Sequence, residues 1–199
     1  MLIVILTLFV ASNSYASESV SADKIIKDVI LNIEKQEQYK VKIEVIIGSD
    51  SLLGFYEVSN DMYYLNIGNQ ELFGAHGVRY EVYNDRKEVV IDSVSPDVNG
   101  NILSNPAEAF SSMANDFDAT VLSETEAVTT IFLNPIGDVK DSIDSATLEV
   151  DNSTMLPTSL RYKIEGEEIE IKIISIEPTK SINVYQPSKY SQYEIIDFR

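Results

Sequence analysis

Apolar and polar positions follow two different periods along this chain. Ile25, Ile26, Val29, Ile30 and Ile33 fall on one helical stripe, Asp23, Lys24, Lys27, Asp28 and Glu34 lie elsewhere, and Ser21 stands where a cap is needed. The spacing predicts an amphipathic helix over residues 21–36 whose apolar side must cover something. The period then changes to two. Val41, Ile43, Val45 and Ile47 alternate with Lys40, Lys42, Glu44 and Ile46, as in a half-buried strand. Strand-like runs continue at about 52–58, 62–67, 70–73, 78–83, 88–94, 119–123, 128–133, 145–151, 158–165, 168–177, 182–185 and 193–197.

Turn chemistry separates these runs as consecutive antiparallel strands require: Ser59-Asn60-Asp61, Gly68-Asn69, Gly74-Ala75-His76-Gly77, Asn84-Asp85-Arg86-Lys87, Asp151-Asn152-Ser153 and Glu165-Gly166-Glu167. A second, short helix is expected from Asn105, with Asn as cap, Pro106 at the first helical position and Glu108 completing a capping box. Phe110 and Met113 form its apolar side. No linker or repeat divides the chain. The fold class is therefore mainly β with some helix (α+β), and so long an antiparallel sheet with few helices must curl or cover itself.

Curling encloses an apolar volume. Either side chains fill it and it serves folding alone, or it stays partly open beneath a helical lid and holds an acyl chain or another apolar ligand. The expected lining is Val41, Ile43, Val45, Phe55, Tyr64, Tyr80, Val82, Leu148, Leu160, Tyr162, Ile171 and Ile173. The expected lid residues are Ile26, Val29, Ile30 and Ile33 of the first helix with Phe110 and Met113 of the second. A register error of one residue would exchange the two faces of any strand.

The opening of the chain changes where this fold would work. Residues 2–11 are apolar apart from Thr7, and Ser14-Tyr15-Ala16 has the small-x-small form of a signal-peptidase site. A run of about ten apolar residues is too short to cross a ~30 Å hydrocarbon core as a helix. Residues 1–16 thus read as a cleaved secretory signal, with a retained anchor as the alternative, although no Lys or Arg precedes the apolar run. Residues 17–199 read as one domain. The absence of cysteine excludes a disulfide framework and an acylated lipobox in the mature chain. With 32 Asp and Glu against 15 Lys and Arg, the formal charge of -17 repels nucleic acid and keeps the protein soluble and off anionic membrane surfaces.

Candidate chemistry adds little. The one histidine, His76, sits in a Gly-Ala-His-Gly turn without a second ligand, and no nucleophile elbow or phosphate-cradling loop is present. No catalytic residue, metal site or cofactor is expected. Asp97, Asn99, Asn101 and Glu108 echo the ligand spacing of an EF-hand, but Ile102 replaces the required glycine and Pro106 falls inside the loop, so an ordinary loop is favoured.

The order of elements, with Gly77, Tyr80, Val82, Tyr83 and Asn84, then Lys87-Glu88-Val89-Val90-Ile91 and the Asn105-Pro106 helix start, resembles the LolA-type periplasmic lipoprotein carriers. Leu133-x-Pro135, Leu156-Pro157, Val184-Tyr185-Gln186-Pro187 and Ile195-Ile196-Asp197-Phe198-Arg199 continue the likeness. The resemblance implies an unclosed antiparallel β-barrel of about eleven strands with a helical lid. It implies a monomer in the periplasm that shuttles acylated lipoproteins from an inner-membrane ABC exporter toward an outer-membrane acceptor. Two features depart from the family pattern. The chain has no tryptophan, and Ser59-Asn60-Asp61-Met62-Tyr63-Tyr64 lacks the arginine that helps hold the family's lid shut. A carrier of a different lipid and an envelope-stress sensor are the alternative functions; the sensor form of the fold has a second domain that this chain is too short to include.

Overall fold

The structure is a computed structural model that describes residues 21–93 and 101–199. The expected signal at residues 1–16 and residues 97–100 of the loop weighed as a cation site lie outside the described residues.

The first helix, α1 (Ala22–Glu34), forms as its stripe requires. The Ser21 hydroxyl accepts the Lys24 N–H at 3.4 Å, and Ala22, Ile25, Ile26, Val29 and Ile33 are buried. Six strands follow: β1 (Gln38–Ile47), β2 (Asp50–Ser59), β3 (Met62–Ile67), β4 (Gln70–Ala75), β5 (Val78–Tyr83) and β6 (Glu88–Ser93). After α2 (Ala109–Asn115) come β7 (Phe117–Glu124), β8 (Val128–Pro135), β9 (Ser145–Asp151), β10 (Leu156–Ile164), β11 (Glu167–Pro178) and β12 (Glu194–Asp197).

These strands make one 12-stranded sheet in the order β12-β6-β5-β4-β3-β2-β1-β11-β10-β9-β8-β7, which is not closed into a barrel. Two antiparallel meanders are fused where β1 pairs with β11. The last strand departs from the expected meander, because β12 joins β6 in parallel, Ile195 opposite Val89. Residues 182–185, expected as a strand, form none.

Register shifts at Lys42/Ile43 against β11, at Pro157/Ser159 against β9 and at Val121/Ser123 against β8 each insert an unpaired residue into the ladder. Such bulges bend a strand and increase its twist, so the sheet curves over one face. On that inner face the alternate residues of both meanders, α1, α2 and Ile102 make a single hydrophobic cluster.

The outer face of β2–β6 holds a second core. Phe55, Tyr64, Phe73, Tyr80, Val82, Val89 and Ile91 pack there under Tyr185, Tyr190 and Tyr193 of the C-terminal segment. Tyr185 stacks on Tyr80 at 4.0 Å between ring centroids and on Tyr190 at 5.4 Å. Two buried carboxylates fasten this strap. Glu57 accepts the Asn183 backbone N–H and side-chain amide, each at 2.9 Å, and pairs with Lys40 at 3.2 Å. Glu71 accepts from Tyr64 at 2.8 Å, Asn84 at 3.1 Å and Lys189 at 3.0 Å. Burial works to raise the Glu71 pKa, but the bonds from Lys189, Tyr64 and Asn84 outweigh it and hold the carboxyl below its ordinary value.

Candidate ligand-binding face

The inner face is a continuous apolar surface. Val41, Ile43 and Val45 of β1 lie on it beside Tyr56 and Val58 of β2 and Tyr63 and Leu65 of β3. Leu148 of β9, Leu160 and Tyr162 of β10 and Ile171 of β11 extend it through the other meander, with Ile173 partly buried at its margin. These positions alternate with charged residues that face water, as Val41, Ile43 and Val45 do with Lys40, Lys42 and Glu44.

Phe55, Tyr64, Tyr80 and Val82 are not on this face. They belong to the outer core beneath the C-terminal strap, and their chain neighbours Tyr56, Tyr63, Arg79 and Glu81 point the other way. The reason is that β2–β5 are apolar on both faces or on the outer one, because the strap supplies a second surface that the alternation alone does not reveal. Of the expected lining, Val41, Ile43, Val45, Leu148, Leu160, Tyr162, Ile171 and Ile173 are brought together.

Two helical pieces cover the inner face. Ile26, Val29 and Ile33 of α1 and Phe110 and Met113 of α2 are buried against it, and Ile30 packs at the edge. Asn32 ties α1 to the turn after β9 by donating to the Thr154 carbonyl at 3.2 Å. The second helix begins later than the sequence suggests. Its cap is Glu108, which makes no side-chain capping bond, while the buried Asn105 side-chain oxygen has no partner. Residues 101–108 instead form tight turns, in which the Asn101 side chain accepts the Leu103 N–H at 2.9 Å and its carbonyl accepts the Ser104 N–H at 3.0 Å.

Those turns drive Ile102 into the inner face, where it is 0% exposed. Two tyrosines from opposite parts of the sheet grip the same turn. The Tyr63 hydroxyl donates to the Ser104 carbonyl at 3.3 Å, and the Tyr162 hydroxyl is hydrogen-bonded by the Ile102 backbone. Tyr63 can reach because its ring lies over Gly74, where a Cβ would come within 2.1 Å of it. Burial, with smaller contributions from Glu108 and Glu81 and against the charge of Arg79, pushes the Tyr63 pKa up to about 12. Its hydroxyl thus keeps its proton and its donor role at any physiological pH. Ile102, Tyr63 and Gly74 carry no periodic signal that marks them as lid contacts.

Beside this grip, between β3–β5 and the 103–104 turn, a cleft of about 170 Å³ opens to solvent. Leu65, Ile67, Leu72 and Leu103 line one part of it and Arg79, Glu81 and Tyr83 another. Its volume is below the ~300–1,000 Å³ of ligand pockets, so a long-chain ligand needs the covering segment to move. Two larger clefts flank α1, one of about 260 Å³ between Asp23, Ile26 and Phe117 and one of about 320 Å³ between Ile33, Tyr39 and Ala107. His76 is an exposed turn residue 3.7 Å from Asp61. No group of residues able to hold a metal ion occurs among the described residues.

No family model matches the chain, and no curated protein matches it by sequence. Solved structures do. A LolA superfamily protein from Nitrosomonas europaea is 11% identical over 86% of this chain and 98% of its own, with a TM-score of 0.43. LprF from Mycobacterium bovis is 9% identical over 83% and 96%, with a TM-score of 0.44. An uncharacterized conserved protein from Thermus thermophilus is 10% identical over 88% of this chain and 98% of its own; its TM-score of 0.57 shows that the two share a fold.

Proposed function

We propose that the protein is a carrier that binds acyl chains on the inner face of its sheet when the covering helices lift, and that its cargo is the lipid anchor of lipoproteins moving between two membranes. The observation that carries this reading is the way the inner face is covered. A continuous apolar surface is capped by two helical pieces that dock on it through apolar side chains. Apolar contacts are non-directional, so hydrocarbon can take the place of the Ile26, Ile102, Phe110 and Met113 side chains, at a polar cost that includes the Tyr63 and Tyr162 hydroxyls, which lose Ser104 and Ile102 as partners when the turn lifts.

The energetics favour such an exchange. Each CH₂ withdrawn from water gains about 0.8 kcal/mol, and opening the lid costs apolar burial of the same kind. Cargo and lid therefore compete for one surface, and the balance allows both uptake and release. The formal charge of -17 adds a repulsion from anionic bilayers that keeps an exported carrier in the aqueous phase. The sequence resemblance to LolA-type carriers, the expected signal at residues 1–16 and the lack of any catalytic constellation in the sequence agree with this role.

Displacement of a fluorescent fatty-acid analogue by a synthetic diacyl lipopeptide tests the reading. Saturable binding with displacement supports it. Failure of every apolar probe to bind a protein whose circular dichroism is intact means that the inner face is a solid core.

A further inference from the structure

An arginine on the wall of the cleft beside the lid has hydrogen-bonding capacity to spare, and its surroundings specify which acceptor suits it. Arg79 and Glu81 lie two apart on β5 and both line the cleft. The Arg79 Nη2 pairs with Glu81 Oε1 at 2.9 Å. The other oxygen of that carboxylate, Oε2, accepts the Tyr83 hydroxyl at 2.8 Å. Glu81 is thus engaged at both oxygens. Arg79 is not satisfied in the same way: its side chain is 22% exposed and its Nε is buried with no hydrogen-bond partner. A guanidinium carries five N–H donors, so Arg79 keeps hydrogen-bonding capacity beyond its contact with Glu81.

The sign of the local charge decides between acceptors. A lone arginine would select a phosphate or a free carboxylate, since its charge rewards an anion. Here Glu81 neutralises the guanidinium at contact distance, and Glu108 adds negative charge close enough to act on the neighbouring Tyr63 hydroxyl. An anionic head group entering the cleft meets no net positive charge. A neutral carbonyl meets the guanidinium donors that Glu81 leaves over, with the apolar wall of Leu65, Ile67, Leu72 and Leu103 alongside for the start of its chain. We propose that the cleft is a head-group subsite in which the Arg79 guanidinium donates to the neutral ester carbonyl of an acyl glyceride, so that the protein selects esterified over free acyl chains. The proposal rests on the inner face being an acyl-binding surface.

The test displaces the neutral dye N-phenyl-1-naphthylamine with monooleoylglycerol or with oleate, in wild type, Arg79→Gln and Glu81→Gln. Wild type is expected to bind the ester more tightly than oleate. Arg79→Gln should lose roughly tenfold in affinity for the ester with dye binding unchanged. Glu81→Gln removes the neutralising charge and keeps an amide near Arg79 and Tyr83, so it should gain roughly tenfold for oleate and reverse the preference. The reversal is a gain that a misfolded variant cannot mimic, and it decides the matter if Arg79→Gln is unstable. Dye and both lipids binding with the same preference in all three proteins overturns the subsite while leaving the carrier reading intact. If neither the dye nor any lipid binds wild type, the carrier reading fails and the subsite fails with it.

Discussion

Replacing Ile102 with alanine separates a lid from a core loop. Ile102 is 0% exposed, lies in the inner-face cluster, and sits in the turn held by Tyr63 and Tyr162. Truncating a fully buried isoleucine to alanine costs about 2–5 kcal/mol, from the lost transfer of its methyl and methylene groups plus the cavity left behind. In a lid, that loss falls on the equilibrium between closed and open segment rather than on the whole fold. At about 1.4 kcal/mol per factor of ten, the open population rises by roughly thirtyfold to a few thousandfold. Because ligand competes with the closed lid, a larger open fraction also strengthens apparent binding by up to the same factor, until the lid is mostly open. Hydrogen exchange followed by mass spectrometry, with dye titration beside it, reads both effects. Residues 101–115 should lose protection by at least roughly tenfold while β9 and β10 change little, and an apolar dye should bind more tightly. Equal loss of protection in the segment and in β9–β10, with weaker dye binding, would refute the lid, because the segment would then unfold only with the sheet.

Other substitutions probe the grip and the outer core. Gly74→Ala places a methyl group where the Tyr63 ring lies, so it should loosen the Tyr63–Ser104 bond and cost about 1–3 kcal/mol, read by denaturant midpoint together with exchange at residues 101–108. Glu71 has a depressed pKa, so its contribution is present above the ordinary carboxylate value and is lost as pH falls through the lower folded value. Urea midpoints from about pH 7 to about pH 3 should accordingly fall more steeply for wild type than for Glu71→Gln, and parallel curves would show that the strap does not depend on that charge. Tyr185→Ala removes two stacked ring contacts from the outer core and should cost about 2 kcal/mol in denaturant unfolding, yet leave affinity for apolar dyes unchanged because it acts on the opposite face.

Elements with a strong period are legible in the sequence, and those specified by tertiary partners are not. The helical stripe of Ile25, Ile26, Val29 and Ile33 and the alternation of Val41, Ile43 and Val45 each report one buried face, and both are found as read. In β5 the same reading misleads. Val78, Tyr80 and Val82 are its apolar side, which alternation alone assigns to the inner face, but that side is turned outward under Tyr185 and Tyr190, and Arg79 and Glu81 face the cleft. Alternation identifies which residues share a face and never which face it is. The strap that resolves the question comes from about a hundred residues later and is partly irregular, so it has no period to detect. Ile102 escapes a sequence reading for the same reason: it is buried by turns built on Asn101 and by two distant tyrosines. At Asn105 the local capping signal is outweighed, since residues 101–108 satisfy their backbone through tight turns and the helix starts only at Ala109.

In the proposed carrier, acyl chains and the helical cover compete for one apolar face. Native mass spectrometry of the protein titrated with a synthetic diacyl lipopeptide, with hydrogen exchange on the same samples, measures this directly. The expected result is a one-to-one complex in which residues 101–115 lose protection while the outer core of β4–β6 under the strap keeps its own. A folded protein that forms no complex, or one that binds lipopeptide with the cover as protected as before, would contradict it.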